Sequence, residues 1–116
     1  MKIINNTTNI KTTDIKNSKV IVLSYNFLTI HGFPFCILYY KKLLSINSTL
    51  LIALDSSSEQ GTATLAITAN FPHIIISPNL RQELEIIKQN SNSTTKLFVN
   101  LQEFIDYTEY LLLKNK

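Results

Sequence analysis

Phe35-Cys36-Ile37-Leu38-Tyr39-Tyr40-Lys41-Lys42-Leu43-Leu44 is the stretch that decides the fold class. Its first six positions are apolar or aromatic and two lysines mark its exit, a composition that reads as a β-strand. His31-Gly32, with Pro34 two residues on, supplies a turn before it. Residues 20–28, starting Val20-Ile21-Val22-Leu23, form the preceding strand. After it, Asn47-Ser48 marks a tight connection into residues 49–54, so an antiparallel hairpin is expected.

Farther along, Asp55-Ser56-Ser57-Ser58-Glu59-Gln60-Gly61 has the composition of a loop. Residues 62–69 alternate, with Ala63, Leu65 and Ile67 spaced by two, which predicts a half-buried strand with Leu65 on the core. Pro72 interrupts, and residues 73–77 supply another short strand. The period then changes. Leu80, Leu84 and Ile87 recur at i, i+4 and i+7, predicting an amphipathic helix of about three turns, capped by Ser77 or Asn79. Residues 96–101 read as a strand, and residues 103–113 as a closing helix with Phe104, Thr108 and Leu111 on one stripe. The expected class is α+β, an antiparallel sheet of about five to six strands with two helices toward the C-terminus. Residues 1–116 are expected to form a single domain, in which the polar residues 1–19 fray or make a marginal edge strand.

Composition narrows the function classes. Hydrophobic residues make up 45% and charged residues 16%, enough for a packed core and contrary to disorder. The net charge of +3 and pI near 9.0 raise the question of nucleic acid. The cations are scattered lysines, however, and Arg81 is the sole guanidinium, so no nucleic-acid interface is expected. The N-terminus shows no apolar signal-peptide core, no apolar run reaches a membrane span, and Cys36 is a lone cysteine. A reducing cytoplasmic setting follows as the expectation.

Catalytic chemistry finds little support. Two glycines, Gly32 and Gly61, exclude phosphate-binding and dinucleotide loops. Cys36 lies inside an apolar run, where burial would raise its pKa and make it a structural residue rather than a nucleophile. His31 and His73 read as turn and strand-edge imidazoles. Asp55 and Glu59 share a loop without calcium-ligand spacing, and Asp106 and Glu109 fit a solvated helix face. No cofactor, no metal and no enzymatic activity are expected; a small enzyme using His31, Asp55 or His73 in a cleft is the remote alternative.

The aromatic cluster is what remains. Phe33, Phe35, Tyr39 and Tyr40 gather around the second strand, and a domain of this size cannot easily cover both faces of its sheet with two short helices. Phe35, Tyr39, Tyr40, Lys41 and Lys42 are therefore the candidate partner interface, in a dimer or another small protein-interaction subunit of a trafficking or signalling complex.

Several segments resemble the proteasome assembly chaperone 4 family. They are Val22-Leu23-Ser24-Tyr25-Asn26-Phe27, Phe35-Cys36-Ile37-Leu38-Tyr39-Tyr40, Ser48-Thr49-Leu50-Leu51-Ile52-Ala53-Leu54 and Leu65-Ala66-Ile67. The helix over 80–89, Lys96-Leu97-Phe98-Val99-Asn100-Leu101 and the last helix complete the pattern. The resemblance implies a cytosolic, ATP-independent factor that pairs with proteasome assembly chaperone 3. Together they would guide proteasome α-subunits into the 20S α-ring by templating rather than catalysis.

Overall fold

The computed structural model describes residues 1–6 and 10–114. Among these residues five strands and six helices follow in the order β1 (Lys2–Ile4), α1 (Thr12–Lys16), β2 (Val20–Leu23), α2 (Tyr25–His31), α3 (Phe33–Ile46), β3 (Leu51–Ser57), α4 (Gln60–Thr68), β4 (His73–Ile76), α5 (Arg81–Asn90), β5 (Lys96–Phe98) and α6 (Leu101–Lys114). One 3-10 turn, Pro78–Leu80, precedes α5. The strands run parallel in the sequential order β1-β2-β3-β4-β5. The class is α/β, which corrects the expected antiparallel α+β sheet. Parallel neighbours need a crossover between them, and here every crossover is helical.

The chain divides into two compact units, Met1–Asp55 and Ser56–Lys116. In the first, β2 is central. Lys2 is in register with Ile21 and Ile4 with Leu23 on one side, while Val20 matches Leu51 and Leu23 matches Leu54 on the other. All four β2 residues are buried, as a strand covered on both faces requires. Within the polar N-terminal segment, β1 pairs with β2 and α1 follows it.

The largest correction falls on residues 35–44, which belong to helix α3. Cys36, Tyr39 and Leu43 are its buried positions, spaced i, i+3, i+7. Pro34 occupies the first helical turn, where a missing N–H costs nothing. Gly32, at φ 79°, is the left-handed joint that ends α2 and starts α3. Residues 20–28 also divide: β2 stops at Leu23, and Ser24 caps α2 by accepting from Phe27 N at 3.1 Å. No hairpin can join residues 35–44 to β3 once they are helical.

In the second unit, Ser56 and Ser57 end β3 beside β4: Ser77 N donates to Ser57 O at 2.9 Å, and Ser56 Oγ donates to Ile75 O at 3.1 Å. Residues 55–57, expected as loop, thus extend the strand. His73 pairs in register with Lys96 and Ile75 with Phe98. Residues 62–69, expected as a strand, lie almost wholly in α4, which buries Ala63, Ala66 and Ile67. Leu65, expected in the core, is 55% exposed. Thr64 Oγ1 and Thr68 Oγ1 donate to the carbonyls of Gln60 and Leu65 at 2.8 and 3.0 Å, which lets β-branched residues sit on this helix. The expected elements from residue 73 onward form with shifted ends. Leu84 is the buried contact of α5, Phe104 and Thr108 those of α6, and Asn100 Oδ1 caps α6 by accepting from Glu103 N.

Candidate functional site

A half-open groove of about 340 Å³ lies in the first unit, walled by Ile10, Thr12 and Ile15 on one side and by α3 on the other. α3 contributes Phe35, Leu38, Tyr39, Lys42, Leu43 and Ile46. These positions are spaced three, one, three, one and three, so they share one helical stripe. The helix therefore has one broad apolar face, whose buried side (Cys36, Tyr39, Leu43) runs on into the groove lining. Cys36 and Leu43 pack inward at 0% exposure, whereas Leu38 at 65% and Phe35 at 36% meet solvent.

Aromatic packing fixes the upper wall. Phe27 of α2 is fully buried, with ring centroids 5.1 Å from Tyr39, 5.9 Å from Phe35 and 4.6 Å from His31. His31 and Phe35 stack at 4.6 Å, and Phe35 and Tyr39 at 6.0 Å. Desolvation raises the Tyr39 phenol above its ordinary pKa, so the side chain stays neutral throughout the physiological range.

Asn47 fixes the other end. Its Nδ2 donates to the carbonyls of Ile15 (3.2 Å), Lys16 (3.3 Å) and Ser18 (2.9 Å), all at the end of α1. Its Oδ1 accepts from Thr49 N at 3.2 Å and Thr49 Oγ1 at 2.8 Å. One side chain thus ties the exit of α3 to the exit of α1 and sets the spacing of the two walls. Asn47→Ala is expected to cost about 1–3 kcal/mol in chemical denaturation, because several carbonyls lose their donor together. An effect below a few tenths would show that the tie is dispensable.

Of the expected interface residues, Phe35, Tyr39 and Lys42 line the groove. Tyr40 and Lys41 do not; Tyr40 is half-buried and Lys41 exposed. Phe35 and Tyr39 share a face by helical i, i+4 spacing. Leu38, Leu43 and Ile46 join this lining through the helical repeat, which a strand over 35–44 does not have. Their signal is the stripe itself. Ile10, Thr12 and Ile15 carry none beyond isolated apolar residues in a polar segment.

Cys36 is enclosed, and burial pushes its thiol up to about 11. It is thus protonated and unreactive at neutral pH. A thiol-specific aromatic disulfide reagent should label Cys36 only as the chain unfolds; labelling of the native protein at the rate of a free cysteine would contradict this. Since the folded pKa exceeds the ordinary 9.0, any thiol contribution to stability is lost as pH rises from 9.0 toward about 11. His31 is held between Phe27 and Phe35, and its enclosed Nε2 has no hydrogen-bond partner among the described residues. In the second unit, His73 is 8% exposed and packs on the rings of Phe98, Phe104 and Tyr107 at 5.4–6.1 Å. Among the described residues, no three His, Cys, Asp or Glu side chains gather as a metal site, and no helix is long and apolar enough to cross a membrane.

No protein-family model, curated protein or solved structure matches this chain.

Proposed function

We propose that the chain is a non-catalytic protein-binding module of the cytoplasm whose contact site is the groove on α3. The observation that carries this is the exposed margin of the broad apolar face of α3. Leu38 and Phe35 stand exposed beside a concavity that is already apolar, so a partner can bury them without first rearranging the core. The enclosed thiol of Cys36 and the ring-packed imidazoles of His31 and His73 favour binding over catalysis.

The narrower role, pairing with proteasome assembly chaperone 3 to build the α-ring, has lost part of its footing. Phe35-Cys36-Ile37-Leu38-Tyr39-Tyr40 and Leu65-Ala66-Ile67 entered that resemblance as strands and lie in α3 and α4. We therefore propose the broader role.

A photo-crosslinking residue placed at Leu38 in the native cell tests it, with the same residue at Leu65 of α4 as a comparably exposed control. A reproducible partner set at Leu38 that is absent at Leu65 is expected. Equal capture at both, or none, would overturn the proposal. Proteasome α-subunits in the Leu38 set would restore the narrower role.

A further inference from the structure

We propose that the occupant of the α3 groove is an amphipathic helix whose apolar stripe is flanked by acidic residues; this rests on the groove being the binding site. Shape gives the first argument. The α3 lining runs from Phe35 to Ile46, and at about 1.5 Å rise per residue that wall is roughly 16 Å long. A helix of about three turns lying alongside would place side chains at i, i+3 or i+4, and i+7 against it, the spacing used when one helix docks in another protein's groove.

Charge gives the second. The unit Met1–Asp55 holds six lysines against two aspartates, a net +4, whereas Ser56–Lys116 holds five cations against six carboxylates, a net −1. The positive charge is thus concentrated in the unit that carries the groove. Lys42 lines it, Lys41 precedes it on α3, Lys11 stands just before α1 and Lys16 ends α1. None of these four lysines lies within ion-pair distance of a carboxylate among the described residues. Asp14, the one acid of α1, is instead 4.0 Å from Lys2. An acidic rim on the partner would meet unpaired ammonium groups, steering the encounter and fixing its orientation.

Other occupants fit less well. A second copy docking groove to groove would bring the Lys42 side chains of both copies into one contact, a like-charge juxtaposition. Nucleic acid would leave Leu38 and Phe35 unused and would find no guanidinium in this unit, since Arg81 lies in the other. An anionic membrane suits a convex apolar face, whereas this site is concave and takes inserted side chains.

The test uses the whole chain and two fluorescein-labelled 14-residue helical peptides. Both carry leucine on one face; one has glutamates flanking it and the other has lysines. Anisotropy at low salt should show the acidic peptide binding at least tenfold tighter, and the gap should shrink as salt rises. The double variant Lys41→Glu, Lys42→Glu should lose or invert the preference, while Leu38→Asp should weaken both peptides. Circular dichroism of each variant confirms that it is folded. Equal binding of the two peptides overturns the inference, as does stronger retention on phosphatidylserine vesicles that the acidic peptide does not compete away.

Mapping the partner segment crosslinked at Leu38 separates this inference from the function it rests on. An acid-flanked amphipathic helix supports both. A neutral or basic segment overturns the inference and leaves the binding role standing. Capture of nothing overturns both.

Discussion

Phe27→Ala is expected to remove about 3–5 kcal/mol of folding stability, the range for deleting a fully buried aromatic ring. Phe27 has no exposed surface and is the ring on which α2 meets α3, touching His31, Phe35 and Tyr39. Its removal leaves a void that the neighbouring rings cannot fill without leaving their rotamers. For a chain of this length the loss lowers Tm by roughly 12–20 °C, at about 4 °C per kcal/mol. Against a total stability of about 5–15 kcal/mol, that places the variant near the unfolding threshold. Phe27→Leu retains most of the apolar volume and should cost clearly less. Thermal and urea denaturation of the two variants beside the parent measure this. A Phe27→Ala loss under about 1 kcal/mol would mean that the ring is not the joint between the helices. Because Phe35 and Tyr39 also line the groove, the same variant should weaken binding there.

The parts of the fold that were legible in advance are those where charge enforces a period. α5 carries Glu83, Glu85 and Lys88 around Leu84, so its helical repeat stands out, and β5 and α6 follow it in the expected order. α3 conceals its period. Nearly every position from Phe33 to Leu44 is apolar or aromatic, because its apolar face extends from the core into the groove. A helix with so broad an apolar face cannot be told from a strand by composition alone, and its 14-residue length was the better guide. The parallel sheet also left a trace. Val20-Ile21-Val22-Leu23 and Ile74-Ile75-Ile76 are unbroken apolar runs, the mark of strands buried on both faces, whereas a half-solvated antiparallel sheet would alternate.

Site legibility followed the same logic. Phe35, Tyr39 and Lys42 were found through their aromatic and basic character, and i, i+4 spacing preserved part of the grouping although the element was mistaken. Asn47 was legible only as a turn residue. Its role depends on the Ile15, Lys16 and Ser18 carbonyls, about 30 residues earlier in the chain, and no local pattern encodes such a contact.

α4 offers the sharpest test of the fold, because the strand and helix alternatives assign Leu65 opposite environments. Alternating threonines at 62, 64 and 68 suggest a strand with Leu65 inward. In the structure the buried set is Ala63, Ala66 and Ile67, spaced i, i+3, i+4, and Leu65 is 55% exposed. Leu65→Glu should therefore change stability by no more than about 0.5 kcal/mol, as exposed substitutions do. Leu65→Pro should cost about 3 kcal/mol or more: it removes an N–H from the middle of the helical ladder and drives the ring against the carbonyl of Gly61, one turn back. A core-facing strand residue would behave otherwise, since a buried, unpaired carboxylate would cost several kcal/mol. Urea denaturation of the two variants decides between them. Glutamate tolerated and proline disruptive fits α4, while a large loss with glutamate would return Leu65 to the core and require a different second unit.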